Sequence, residues 1–204
     1  MRGNLLEDAQ TLGVSLKGEQ CDQLYAYAEL IRKWNKKVNL VSRQDIDRLE
    51  NRHLLDCLAV APHLTQGRHL DIGSGAGLPG LVLAIVSPES EFVLCERMSR
   101  RCRFLQTVAQ TLGLTNVEVI ESGVEEISDV QFDAVTARAV AQPDVIWGWV
   151  LQLLKANGSV FSFLSTRDDI EDLSYDIPCR VTYHRYQLPG IDQAHTLMQM
   201  EHNT

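Results

Sequence analysis

From His69 onward, short apolar runs alternate with longer helical stretches, and this alternation constrains the fold more than any other feature of the chain. Strands are predicted over His69–Ile72, Glu91–Cys95, Val117–Ile120, Phe132–Ala137 and Ser159–Phe163, and helices over Pro79–Val86, Met98–Leu112 and Asp144–Leu154. A parallel crossover needs a helix-length connection, so the pattern builds a mainly parallel α/β sheet with helices on both faces. The tail reads as two further strands, Arg180–Gln187 and Ala194–Met200, around a Pro189-Gly190 turn, which adds an antiparallel hairpin at one sheet edge. Before His69 the spacing is helical: Leu24, Tyr27, Ala28, Ile31 and Trp34 form one stripe of a helical stretch from Leu5 to about Trp34, and Asn51–Leu64 repeats the pattern. The expected organisation is a helical N-terminal unit, residues 1–66, packed on an α/β domain, residues 67–204.

The first strand runs directly into "HLDIGSGAGLPG", His69 to Gly80. Two glycine patterns overlap there, G-x-G-x-G from Gly73 and G-x-G-x-x-G from Gly75. Both describe a tight turn that brings a ligand to the main chain and delivers it to a helix N-terminus. A nicotinamide-dinucleotide site read from Gly75 leaves Asp71 and Ser74 unexplained between strand and turn. Reading from Gly73 puts an acid at the strand end, aimed at the ligand, where it suits a cationic amino group such as that of S-adenosyl-L-methionine and repels a pyrophosphate. Glu96, at the end of the second strand, is a candidate acceptor for both ribose hydroxyls, a need that the two cofactors share. Asp71, Gly73, Ser74, Gly75 and Glu96 are therefore candidate cofactor-binding residues.

Composition excludes several classes. The longest apolar stretch, Leu78–Val86, is interrupted by Pro79 and Gly80 and falls far short of a membrane span. The N-terminal MRGNLLEDAQ carries acids where a secretory signal keeps a basic end and an apolar run, so the expected location is the cytoplasm. Five cysteines form no C-x-x-C pair and read as reduced packing thiols, with no metal site expected. A net charge of −8 argues against a protein that coats nucleic acid indiscriminately. Yet seven of the 19 basic residues, against three of the 27 acidic ones, fall between Arg32 and Arg52, and Arg97, Arg100, Arg101 and Arg103 follow Glu96. These runs are either solvated faces or a docking surface for RNA phosphates.

With these residues in view, the chain resembles the bacterial small-subunit (16S) ribosomal RNA guanine-N7 methyltransferases, also called the glucose-inhibited division protein B family. The resemblance rests on "KWNKKVNLVS" (Lys33–Ser42), "RHLLDC" (Arg52–Cys57), "LDIGSGAGLPGLVLAIVSPE" (Leu70–Glu89), "ERMSRRCRFL" (Glu96–Leu105), "GVEE" (Gly123–Glu126) and "FDAVTARAVA" (Phe132–Ala141). It implies a class I, Rossmann-like methyltransferase fold, S-adenosyl-L-methionine as cofactor, and methylation of N7 of one guanine near the ribosomal decoding centre. It also implies cofactor positions at Gly73, Leu78, Val124, Glu125 and Arg138, and small-subunit ribosomal RNA, free or in an assembling subunit, as partner of a monomeric enzyme. The chain departs from the family at Gly123, at Leu164-Ser165 and at His195, where most members carry basic residues or a lysine-glycine pair.

The inferred chemistry needs no general base, because guanine N7 already presents an in-plane lone pair; the protein has to position two reactants. Arg138, just past the fourth strand, is the first candidate catalytic residue, through a carboxylate, a phosphate or a stacked base. His53, three residues before Asp56 on a helical face, is the second, the two reading as a positioning pair. No N/D-P-P-Y/F loop of amino-methylating enzymes is present. Pro178-Cys179 follows the fifth strand, whereas the Pro-Cys nucleophile of cytosine-C5 enzymes lies beyond the fourth. Two alternatives stay open: a ribosome-associated module that binds cofactor with weak or no turnover, and a small-molecule methyltransferase.

Overall fold

The structure, a computed structural model, describes residues 4–164 and 177–203; Ser165 lies outside the described residues. Seven strands form one sheet: β1 (Arg68–Ile72), β2 (Glu91–Glu96), β3 (Val117–Glu121), β4 (Phe132–Arg138), β5 (Leu154–Phe163), β6 (Arg180–Gln187) and β7 (Ala194–Glu201). Their order is β3-β2-β1-β4-β5-β7-β6. The first five are parallel, and β7 runs antiparallel to both β5 and β6. This is the mainly parallel sheet that the alternation predicted, with the antiparallel edge hairpin expected of the tail.

Alternate residues of the strands serve two cores. Leu70 and Ile72 of β1, Val93 and Cys95 of β2 and Val135 and Ala137 of β4 join one apolar cluster with Ile146, Trp147 and Val150 of α6 (Pro143–Val150). Phe92, Leu94 and Ala134 face the other, where α4 (Gly80–Val86) and α5 (Ser99–Leu112) pack. The N-terminal helices α1 (Leu5–Thr11), α2 (Gly18–Asn35) and α3 (Leu55–Leu58) lie on this second side, with Leu5, Tyr27, Ile31 and Leu58 buried in the same cluster as Leu81 and Phe104. Polar contacts add to the apolar ones: the Gln20 amide donates to the carbonyls of Ile85 and Val86, and the Tyr27 hydroxyl donates to Ala76 O at 2.6 Å. Among the described residues no helix is long and apolar enough to cross a membrane.

Three boundaries differ from expectation, each for a local reason. The helix expected from Leu5 to Trp34 is broken after Thr11. There Gly13 takes φ +78°, and Val14 N–H closes back on Ala9 O, a left-handed helix stop. The second helical stretch is irregular, a π-helical turn over Leu49–Leu54 running into α3 and then a short 3-10 turn at Ala61–His63. The helix expected to reach Leu154 ends at Val150; Leu154 pairs with Phe132, and β5 begins there, with an irregularity in the ladder between Phe132 and Ala134.

Candidate active site

Register puts the decisive residues at one level. Ile72 lies beside Cys95 and Ala137, and the next residues of the three strands are Gly73, Glu96 and Arg138. The chain reverses its sheet order between β1 and β4, the point at which open α/β sheets receive ligands beyond the carboxyl ends of their strands. A cleft of about 360 Å³ opens there, with Gly73, Glu96, Met98, Val124, Val140 and Trp149 among its walls. Gly73, Gly75 and Gly77 all have positive φ, and a Cβ on Gly73 would stand 2.9 Å from Val140 Cγ2. The bare backbone at Gly73 thus keeps the opposite wall of the cleft in place.

Glu96 is 5% exposed and its carboxylate is fixed by main-chain donors: Gly75 N–H to Oε2 and Met98 N–H to Oε1, each at 2.9 Å. Each oxygen keeps a further lone pair for a ligand hydroxyl. The donor set and the cleft volume therefore fit a nucleoside whose ribose meets Glu96, with Met98 and Val124 as apolar walls. Replacing Glu96 by alanine also unties the two amides, and we expect cofactor affinity to fall by about 1–3 kcal/mol. Calorimetry with S-adenosyl-L-methionine measures it, and unchanged affinity would remove Glu96 from the site.

Asp71 points the other way. Because Leu70 and Ile72 face the α6 side, Asp71 faces α4, where its carboxylate accepts Gly80 N–H at 3.2 Å and the Thr136 hydroxyl at 2.9 Å. It is 2% exposed and turned away from the cleft, not aimed at the ligand as the sequence suggested. Ser74 is likewise turned inward, its hydroxyl on Asp71 O, and Leu78 is buried. Burial lifts the Asp71 carboxyl to about 6, against the opposing hydrogen bonds from Thr136, Ser74 and Gly80. A folded-state pKa above the unfolded one contributes stability below the unfolded pKa, and that stability is lost as pH rises through the folded value. Wild type should therefore lose about 2 kcal/mol relative to Asp71→Asn between pH 4 and pH 7. Urea denaturation of both proteins at the two pH values checks this, and parallel pH curves would refute it.

Arg138 sits in a buried polar network rather than open to the cleft. Its Nε lies 3.2 Å from Asp56 Oδ2, its Nη2 donates to His53 Nδ1 at 2.6 Å, and its guanidinium lies over the Phe163 ring. Asp56 Oδ1 also accepts the Tyr186 hydroxyl at 2.6 Å and lies 3.2 Å from His195 Nδ1. Burial pushes the Asp56 carboxyl up, but the His195 hydrogen bond, the Arg138 charge and the Tyr186 hydroxyl outweigh it and hold it below the usual range. His53 is lowered by burial and by the Arg138 charge. A neutral ring accepting from Arg138 at Nδ1 carries its proton on Nε2, which lies 3.1 Å from Asp45 Oδ1. Immediately after Arg138, Ala139 adopts φ +55°, a rare conformation for alanine, and Ala139 and Val140 form the cleft wall. The network therefore ties the segment Leu49–Leu58 and the edge hairpin to the turn that shapes the cleft.

The remaining candidates separate. Val124 is buried and lines the cleft; Glu125 is exposed and pairs with Arg97, itself a cleft residue. Gly123, where a basic residue was expected from the family, lines the cleft, and a Cβ there would meet the Glu125 carboxylate. Leu164 N–H pairs with Thr196 O. Cys179 lies at the strand ends opposite the cleft, since Arg180 pairs with Glu201 and Glu201 with Ser159, and burial raises its thiol. Sequence reasoning missed Thr136, Tyr186 and Trp149. Trp149 is 40% exposed at the cleft.

A switch-point cleft built from a glycine turn and an acid at the end of β2, on this sheet order, defines a class I methyltransferase. Solved structures share the fold. A methyltransferase from Geobacter sulfurreducens matches with TM-score 0.59 at 15% identity, covering 89% of each chain. A precorrin-6y C5,15-methyltransferase from Geobacter metallireducens matches with TM-score 0.55 at 15% identity, over 83% of this chain and 96% of that one. Residues 20–194 match the family of rRNA small subunit methyltransferase G (GidB), and the chain belongs to that family. Its relatives named ribosomal RNA small subunit methyltransferase G include those of Aeromonas salmonicida (38% identity, 93% of this chain and 92% of the relative) and Klebsiella pneumoniae strain 342 (41%, 91% and 91%). That of Shigella flexneri is 38% identical over 98% of this chain and 96% of its own length.

Proposed function

We propose that this chain transfers a methyl group from S-adenosyl-L-methionine to N7 of a guanine in small-subunit ribosomal RNA. The carrying observation is the cleft at Gly73 and Glu96, with its carboxylate held by two main-chain amides, in a chain of this family. When bound, the cofactor supplies an electrophilic methyl on a sulfonium centre. Glu96 accepts from the ribose, Gly73 and Gly75 let the ligand approach the main chain, and Met98 and Val124 face the purine. Asp71, Ser74 and Leu78 act through the loop by fixing its fold beneath the ligand. Arg138, with His53, holds the Ala139-Val140 turn, so both are positioning residues for the transfer. Arg97 supplies the cation beside Glu125 in place of a basic residue at 123. N7 carries its own lone pair, so no residue has to remove a proton, and pre-orientation of the two reactants is the main contribution, which can reach roughly 7–11 kcal/mol.

In this reading residues 1–66 form a helical unit that braces the methyltransferase domain, residues 67–204, and the protein works as a cytoplasmic monomer on free or assembling small-subunit RNA. Incubating the purified chain with methyl-labelled S-adenosyl-L-methionine and small-subunit RNA, then digesting to nucleosides, tests the activity. Label in 7-methylguanosine is the expected result. Binding of cofactor and RNA without transfer would favour a ribosome-associated module instead, and transfer only to small molecules would overturn the RNA assignment.

A further inference from the structure

Beside the cofactor cleft lies a second, strongly polar cavity of about 640 Å³. Three cations line it, Lys36, Arg43 and Arg101, together with Asn35, Asn39 and Ser42, and among the described residues no carboxylate does. In a chain with a net charge of −8, such a concavity stands out. Its rim is built, not loose. The Asn35 side chain at the end of α2 ties the following loop into a knot: its Oδ1 accepts the N–H groups of Leu40 and Val41, and its Nδ2 donates to Val41 O. The nearby carboxylate of Asp45 is engaged by the Ser42 hydroxyl and faces His53. Lys36 and Arg43 are exposed.

Arg101 joins the two cavities, lining both. One of its nitrogens lies 3.8 Å from Glu96 Oε2, another donates to Asn39 O at 3.3 Å, and its Nε has no acceptor. Two of the other basic residues that the sequence grouped with these face carboxylates: Arg32 with Glu29 and Glu50, and Arg97 with Glu125. Lys36, Arg43 and Arg101 converge on one concavity where the loop meets α5.

We propose that this groove seats a phosphodiester of the substrate RNA strand next to the target nucleotide, with Lys36 and Arg43 as phosphate contacts and Arg101 setting the spacing between RNA backbone and cofactor. The inference rests on the RNA-methylating reading and names where that substrate lies. Cationic side chains and amides without competing carboxylates recognise phosphate oxygens and do not read base identity, so the groove fixes register and leaves base choice to the cleft.

The test measures binding of a fluorescein-labelled single-stranded fragment of small-subunit RNA by anisotropy across a KCl series. Lys36→Gln/Arg43→Gln is compared with wild type and with Lys17→Gln/Arg185→Gln, an equal charge loss at two positions that do not line the groove. Each lost phosphate contact should reduce the salt slope by about 0.7 for a single strand. The groove variant should bind at least tenfold more weakly at low salt, Lys36→Glu should weaken binding further than Lys36→Gln, and the KM for small-subunit RNA should rise. A groove variant no weaker than the control variant would overturn the proposal. If wild type methylates the RNA and that result is obtained, only the groove assignment fails; if wild type methylates no RNA, the underlying reading fails.

Discussion

Asp56→Ala is expected to cost the fold about 3–5 kcal/mol, because it leaves the Arg138 guanidinium buried without its carboxylate. Arg138 and Asp56 side chains are 18% and 10% exposed, too sheltered for water to replace the missing partner. The same substitution strands the Tyr186 hydroxyl and His195, both of which meet Asp56. Replacing both members of the pair, Asp56→Leu with Arg138→Met, removes the unpaired charge and should recover a large part of the loss. Urea denaturation of the singles and the double decides it; single variants within 1 kcal/mol of wild type, on the order of a surface pair's contribution, would show that the network is loosely held. Arg138→Lys keeps the charge but loses the planar fork that reaches Asp56 and His53 together. We expect it to fold and to transfer methyl groups at least tenfold more slowly, about 1.4 kcal/mol of positioning, in single-turnover assays at saturating cofactor.

Gly73→Ala should damage the loop where it meets the cleft wall. At φ +63° a Cβ carries a left-handed penalty of about 1–2 kcal/mol, and here it also stands 2.9 Å from Val140 Cγ2. The combined cost of about 3 kcal/mol falls on stability, on cofactor affinity, or on both as the loop shifts. Gly148→Ala is the control: it lies within α6 with nothing within 4 Å of the added methyl group, and should be neutral or stabilising. A Gly73→Ala protein with wild-type melting and wild-type cofactor affinity would mean that the loop does not define the cleft.

The sheet was legible because each strand carries a short apolar run and each crossover a helix-length segment, signals that lie within a few residues of one another. Glu96 was legible for the same reason, as an acid at the end of a strand. Asp71 was read correctly in position and wrongly in direction: which face of a strand a side chain takes depends on what packs against it, and α4 claimed this one through Gly80 N–H. The network around Arg138 was half visible. His53 and Asp56 share a helical face, but Tyr186 and His195 reach Asp56 only because the edge hairpin folds back beside β5, a pairing with no local signature. Helix ends at Thr11 and Val150 were missed because a glycine stop and a strand pairing outweighed periodicity.

The activity proposed for this chain is methylation of one guanine of small-subunit RNA at N7. N7-methylguanosine is cleaved by reduction followed by aniline, so the modification can be mapped to a single nucleotide in RNA from cells lacking the chain. One cleavage site should be lost in such cells, restored by the wild-type gene and not restored by one encoding Glu96→Ala. An identical cleavage pattern with and without the chain would contradict it.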